Sequence, residues 1–172
     1  MKKFLIALVA MFGITAGVSA QKTELYVSYG GYTQMDATDC HDGGPSVNTA
    51  WGALNAGVNF KITPNIWIGP SYTFSSTTRK KYDDNNFYYH AIMLNGRYGY
   101  YRNSIVSMYA KVGIGAIITH ETWPDDSKNF GHFAYQISPV CAQVAINKTF
   151  SMFGELGFGA QGLLQVGVKM NL

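Results

Sequence analysis

The last candidate strand decides the fold, and it reads Leu164-Gln165-Val166-Gly167-Val168-Lys169-Met170-Asn171-Leu172. Its even positions are all apolar, whereas its odd positions are polar, charged or glycine. Successive side chains of a β-strand point to opposite faces, so this strand has one apolar face and one polar face. Segments of about ten residues with this alternation are typical of the wall of a membrane-spanning β-barrel.

The same alternation recurs along most of the chain and is interrupted by turn-rich segments. Eight strands are predicted, each close to or above the roughly 9–11 residues that a tilted membrane strand needs. They cover residues 22–32, 49–62, 65–75, 87–100, 105–119, 132–146, 149–159 and 162–172. Short turns alternate with long loops around 33–48, 76–86 and 120–131, so the short turns and both chain ends should share the periplasmic rim.

Side-chain parity separates the two faces of these strands. When the phase is chosen by apolar residues alone, Val58, Ile114 and Val166 point to lipid, and every charged side chain in the strand cores points the other way. Placing Arg or Lys on the lipid face costs about 2–4 kcal/mol at mid-bilayer. Eight strands leave room only for side chains inside, which favours a plugged barrel over an open pore. The predicted polar network of the lumen is Glu24, Lys61, Arg97, Lys111, Glu155 and Lys169.

Two positions depart from this pattern. His90 falls on the lipid face, and the sixth strand changes phase between Cys141 and Val144, for which a β-bulge near Ala142 is the expected cause. Aromatic side chains crowd the strand ends, as in the two interfacial girdles of outer-membrane barrels, although the β propensity of Tyr and Phe is an alternative explanation.

The N-terminus predicts export. Met1-Lys2-Lys3 precedes an apolar run from residue 4 to about 14 and small residues up to Ala20, which is the pattern of a secretory signal peptide. Cleavage after Ala20 would leave residues 21–172 as one barrel domain. Only 13% of residues are charged, against about a quarter in soluble domains. No later segment approaches the roughly 18 apolar residues of a membrane helix.

These features resemble the small eight-stranded outer-membrane barrels, the superfamily that includes the transmembrane domain of outer-membrane protein A. The resemblance covers residues 21–172 and rests on residues 94–98, 109–115 and 164–172. It implies a closed, antiparallel, up-and-down barrel in the outer membrane. It also implies contacts with lipopolysaccharide, recognition by the barrel assembly machinery, and lumen ion pairs between Glu155 and Lys111 or Arg97. Leu172 departs from the aromatic residue that usually ends the family's assembly signal.

Catalysis is the less favoured interpretation of the loops. His120, His132 and the acidic residues Asp83, Asp84, Asp125 and Asp126 have the residue types of outer-membrane proteases, but those enzymes have more strands. The His-x-Ser pair of a lipid A deacylase is absent from the sequence. No catalytic or cofactor site is predicted. No metal site is predicted either, because the acidic loop around His41-Asp42-Gly43-Gly44 lacks a recognised ligand spacing. A solvated charge run is favoured for Arg79-Lys80-Lys81, with lipopolysaccharide phosphates as the other possibility.

The sequence therefore predicts a non-enzymatic outer-membrane barrel that acts as an anchor, with loops for interaction or envelope integrity. A near-neutral mature chain, with 11 basic and 10 acidic residues, argues against a nucleic-acid partner. The main alternative is a secreted, lipocalin-like barrel that turns its apolar face inward around a small ligand. Cys40 and Cys141 are not expected to pair, because one lies in a loop and the other well inside a strand.

Overall fold

The computed structural model describes residues 23–37, 48–79, 82–122 and 127–172. Within them the chain forms eight strands, which pair in sequence order and close into a barrel through β1 and β8. Every neighbouring pair is antiparallel. The strands are β1 (Thr23–Gly31), β2 (Ala53–Lys61), β3 (Ile66–Arg79), β4 (Tyr82–Arg102), β5 (Val106–Thr122), β6 (Ser127–Ala145), β7 (Phe150–Gly159) and β8 (Leu164–Asn171), and one short helix, α1 (Gln34–Ala37), follows β1.

The eight predicted strands are confirmed, but two of the predicted loops are wrong. Residues 76–86 and 120–131 lie largely in extended β3–β4 and β5–β6 hairpins, whose pairing continues to Thr78 opposite Asn86 and to Thr122 opposite Ser127. Thr is enriched in strands, and Thr77, Thr78, Thr119 and Thr122 lie in the pairs that extend these hairpins beyond the length that a membrane requires. The predicted signal peptide and Cys40 lie outside the described residues.

The apolar face of the barrel is its outer face. Ile114 and Val166 are 62% and 54% exposed, whereas Lys111 and Lys169 are 5% and 2% exposed. This arrangement is the reverse of a lipocalin-like barrel, and that alternative is wrong. Val58 keeps the outward parity of Ala56 and Phe60, but it is only 3% exposed, which is less than predicted for a lipid-facing side chain. Its carbonyl oxygen lies where a Cβ of Gly69 would otherwise sit, so β2 and β3 approach each other closely at this point.

The phase change of β6 lies earlier than predicted. The register shifts on both sides of the strand fall between Ile137 and Cys141, rather than near Ala142. Pro139 lies in this segment. Because a proline has no N–H to donate to a neighbouring strand, the extra residue of the bulge is accommodated there. The bulge turns Cys141 inward as a fully buried free thiol and leaves Val140 51% exposed.

Exposed aromatic side chains lie near both ends of the apolar band, as expected for two interfacial girdles. On β4, Tyr98 near the turn end and Tyr88 near the loop end are both exposed. The ten residue steps from one to the other span about 26 Å along the membrane normal at a strand tilt of about 40°, which matches an apolar band about 25 Å tall. His90 lies at the upper boundary, where its Nδ1 is 2.5 Å from the hydroxyl of Tyr72 and its ring packs against Phe74. A hydrogen-bonded partner therefore explains a histidine on the outer face.

No helix in the described ranges is long and apolar enough to cross a membrane.

Candidate functional site: the lumen and its two ends

A buried ion-pair cluster occupies the half of the lumen nearer the short turns. Arg97 on β4 binds Glu24 on β1 in a bidentate pair, with Nη1–Oε1 and Nη2–Oε2 distances of 2.6 and 3.2 Å. Asn59 donates to the same carboxylate at 3.1 Å, and the Lys169 ammonium lies 3.7 Å from it. Each of these side chains is at most 8% exposed. Buried charges of this kind are stable only when they are paired and hydrogen-bonded.

A second ion pair joins this one through a tyrosine. Lys111 pairs with Glu155, and the Tyr109 hydroxyl donates to the Glu155 carboxylate at 2.7 Å. Lys169 in turn donates to the Tyr109 hydroxyl at 2.8 Å. The Arg97 guanidinium and the Lys169 ammonium also lie 4.8 and 4.3 Å from the centroid of the Tyr109 ring, within cation–π range. Tyr109 thus links both pairs into one network.

Strand register explains why these residues meet. Arg97 stands directly opposite Lys111, and Cys141 of β6 stands opposite both Tyr109 and Glu155, so the inward side chains lie at similar heights. Five of the six predicted network residues belong to the cluster. Lys61 does not, because it lies at the turn end of the barrel, half-buried and 5.9 Å from the ring of Trp67. Parity also places Tyr109 and Trp67 inward. Their aromatic rings carry no charge, however, so the charge pattern of the sequence does not mark them as lumen residues.

Neutral side chains fill the middle of the lumen. Asn55 accepts from Thr73 at 2.7 Å and donates to the Gln161 carbonyl at 3.1 Å, while Gln161 donates to Ser71 at 2.8 Å. Gln161 lies in the β7–β8 connection between Gly159 and Gly162, which both have positive φ. These glycines let the connection fold into the barrel mouth, where Gln161 is fully buried.

An apolar cluster lies in the lumen near its loop end, which the sequence interpretation missed. Met35 of α1 packs into the loop-end mouth of the barrel. The neighbouring Gln34 side chain hydrogen-bonds to the backbone of β6, donating to Phe133 O at 2.7 Å and accepting from Tyr135 N at 3.2 Å. The lumen is therefore polar in its turn-end half and its middle, whereas the loop end combines an apolar cluster with buried polar side chains such as Thr119 and Glu121. The apolar cluster is Met35, Phe87, Tyr89, Ala91, Met93, Ile117, Ala134 and Ala160.

Below the ion pairs, the lumen opens at the turn end as a cavity of about 490 Å³. We call it the turn-end cavity. Arg97, Glu24 and Tyr109 are at its inner end, and the residues around its mouth come from the strand ends and turns. Its charged and aromatic lining includes Glu24, Lys61, Trp67, Arg97, Arg102 and Lys148.

The two candidate catalytic histidines do not form one site. His132 stands opposite the fully buried Ile117 and faces inward, whereas His120 has the parity of the exposed Ile118 and faces outward. His120 Nδ1 lies 2.7 Å from Asn129 Oδ1, an amide rather than a carboxylate. Asp125, Asp126 and the side chains of Asp83 and Asp84 lie outside the described part of the chain. No group of three metal-ligating side chains occurs among the residues that the structure describes.

A closed eight-stranded barrel with an apolar exterior and charges inside defines the class: it is a membrane-spanning β-barrel. The family follows from the sequence match, because the model of the outer membrane protein beta-barrel domain matches residues 4–169. The chain belongs to this family, and its location is the outer membrane. No curated protein matches the sequence.

Solved structures agree on the fold. Neisserial surface protein A is similar with a TM-score of 0.59 and 10% identity, over 90% of this chain and 98% of that one. The N-terminal β-barrel domain of Pseudomonas aeruginosa OprF is similar with a TM-score of 0.56 and 9% identity, over 88% of this chain and 97% of that one. A third similar structure is Ail, the attachment invasion locus protein of Yersinia pestis, crystallised with the heparin analogue sucrose octasulfate. Its TM-score is 0.50 and its identity 14%, over 88% of this chain and 95% of that one. At these identities the likeness concerns the fold alone.

Proposed function

We propose that this protein is a non-enzymatic outer-membrane anchor, exported with a signal peptide that is cleaved after Ala20, which presents its β3–β4 and β5–β6 hairpins to extracellular partners. One observation carries the proposal: the lumen is closed by side chains while these two hairpins extend beyond the apolar band of the barrel wall. From Tyr88 to the start of β4 at Tyr82, six residues add about 15 Å of height at the same tilt.

The closed lumen argues against a transport role. An ion-pair cluster, a layer of amides and an apolar layer succeed one another along the axis, and the apolar layer includes the fully buried Phe87 and Ile117. An eight-stranded barrel is too narrow to hold these side chains and a water channel together. The position of His120 and His132 on opposite faces likewise supports a role without catalysis.

Polyanions are the class of partner that we propose for the hairpins. Arg79, the last residue of β3, is followed by Lys80 and Lys81, which gives three basic residues in succession. Such a run binds phosphates or sulfates by long-range attraction and charge-assisted hydrogen bonds. Lipopolysaccharide phosphates of the same membrane and sulfated polysaccharides outside the cell share this chemistry. The Ail crystal, which contains a heparin analogue, makes heparin a reasonable probe.

Cysteine labelling tests the anchoring and its direction. In a Cys40→Ser/Cys141→Ser background, a cysteine replaces either Lys128 at the loop end or Lys148 at the turn end. We expect a membrane-impermeant maleimide to label Lys128→Cys on intact cells and Lys148→Cys only after the outer membrane is permeabilised. Labelling of both on intact cells, or recovery of the protein in the soluble periplasm, would overturn the anchor proposal.

Trimmed hairpins test the interaction role. Residues 78–86 and 120–129 are each replaced by Asn-Gly, so that a two-residue turn joins the paired positions Thr77–Phe87 and Thr119–Phe130. Cells with the full chain should adhere to heparin-coated beads, and cells with the trimmed barrel should not. Uncharged dextran beads are the control. Equal adherence of both strains to heparin would contradict the proposal, and dye exclusion by the envelope would then measure the alternative role in envelope integrity.

A further inference from the structure

The turn-end cavity has the dimensions and charge of a ligand site. Its volume of about 490 Å³ lies within the range of roughly 300–1,000 Å³ that is usual for small-molecule sites. Lys61, Arg97, Arg102 and Lys148 contribute four positive charges to the lining. Glu24 contributes one negative charge and is the only acidic side chain among the described residues of this lining.

The side-chain carboxylate of Glu24 is already paired within the barrel. Glu24 binds Arg97 through both oxygens and lies 3.7 Å from Lys169, so it neutralises charge at the inner end of the cavity. Lys61, Arg102 and Lys148 come from the ends of β2 and β4 and from the β6–β7 turn, so these positive charges lie around the mouth of the cavity. An anion placed among them gains electrostatic attraction and charge-assisted hydrogen bonds.

An aromatic wall completes the site. Trp67 is 6% exposed and lies inside the barrel, with the Arg97 guanidinium 4.8 Å from its ring centroid. Tyr100 and Tyr101 form part of the same lining. Such rings present an apolar surface to the carbon skeleton of a ligand and reduce the contact of its anionic groups with water.

We propose that the turn-end cavity binds a small, multiply charged anion bearing carboxylate or phosphate groups, taken from the periplasmic side of the membrane. Lys61, Arg102 and Lys148 bind the charged groups, and Trp67 packs against the ligand. The proposal is independent of the hairpins, because it concerns the opposite end of the barrel.

Trp67 supplies the reporter for the test. The chain has three tryptophans, and a Trp51→Phe/Trp123→Phe variant leaves Trp67 as the only one. The refolded full-length barrel is titrated with citrate and, separately, with inorganic pyrophosphate at fixed ionic strength, because salt screens the attraction. We expect saturable changes in Trp67 emission. Saturation with citrate alone or pyrophosphate alone supports the site and identifies the preferred group, and saturation with neither overturns the proposal.

Charge removal separates a specific site from general attraction. In Lys61→Gln/Arg102→Gln/Lys148→Gln the dissociation constant should rise at least about tenfold. Lys128→Gln, at the loop end, is the matched control and should leave it unchanged. Equal weakening by both changes would contradict the site. Should the triple variant fail to refold, the exposed single changes Arg102→Gln and Lys148→Gln should each weaken binding by about threefold.

Quenchers provide a second measurement on the unmutated lining. Iodide, an anion, should quench Trp67 more strongly than caesium, a cation, because the cavity attracts negative charge. The Lys61→Gln/Arg102→Gln/Lys148→Gln variant should reduce this difference. Stronger quenching by caesium in the unmutated lining would contradict a cationic cavity.

Discussion

Removing an acidic side chain from the buried ion-pair cluster should lower the free energy of unfolding far more than removing a basic one. The cluster holds three cations, Arg97, Lys111 and Lys169, and two anions, Glu24 and Glu155, so its net charge is +1. Glu24→Gln raises this charge to +2 and deprives Arg97 of its bidentate partner. Lys169→Gln lowers it to zero and leaves both direct pairs intact. The two substitutions each replace a charge with an amide, so they are matched.

The magnitudes follow from burial. Breaking a buried pair by removing one partner costs about 3–5 kcal/mol, and we expect Glu24→Gln to fall in that range. Lys169→Gln should lie within about 1 kcal/mol of the unmutated chain, because an amide can still donate to the Tyr109 hydroxyl that Lys169 contacts at 2.8 Å. With a urea slope of about 1–3 kcal/mol/M, a loss of 3 kcal/mol moves the unfolding midpoint down by about 1–3 M.

Urea unfolding of the barrel refolded in detergent micelles measures this difference. Tryptophan fluorescence follows the transition, and the heat-modifiable shift on gels reports the folded fraction independently. A midpoint for Lys169→Gln that is as low as that for Glu24→Gln, or lower, would refute the reasoning. It would mean that the cluster tolerates the loss of a carboxylate as well as the loss of a cation.

Three further predictions follow from the two faces and the packing. Ile114→Arg should block membrane assembly, since it places a charge on the lipid face at a cost of about 2–4 kcal/mol, whereas Lys111→Gln should still yield a heat-modifiable barrel; equal damage from both would contradict the assigned faces. Gly69→Ala should lower the urea midpoint, because the new Cβ would overlap the Val58 carbonyl oxygen; an unchanged midpoint would argue against the close approach of β2 and β3. In planar bilayers the full chain should show no steady conductance, because Met93 and the apolar cluster around it close the lumen; stable channel openings would refute the closure.

Much of this architecture was predictable because it depends on local alternation. The direction of each strand side chain follows from its position in a period of two, so Ile114 and Lys111 were assigned to opposite faces from their spacing alone. The eight strands and the short turns could be predicted for the same reason. Where the alternation fails, at the bulge of β6, the sequence indicated a bulge, but its position was set by Pro139 rather than by the hydrophobic pattern.

The sequence by itself determined which residues face lipid and which face the axis, because that choice is local to each strand. Only the tertiary structure decided which inward residues meet. Arg97 and Glu24 are 73 positions apart, and their contact depends on how the barrel closes and on its register. The same holds for Met35, which enters the lumen from α1, and for the cavity beside Trp67. Such contacts form between distant strands, and the periodicity of one strand carries no information about them.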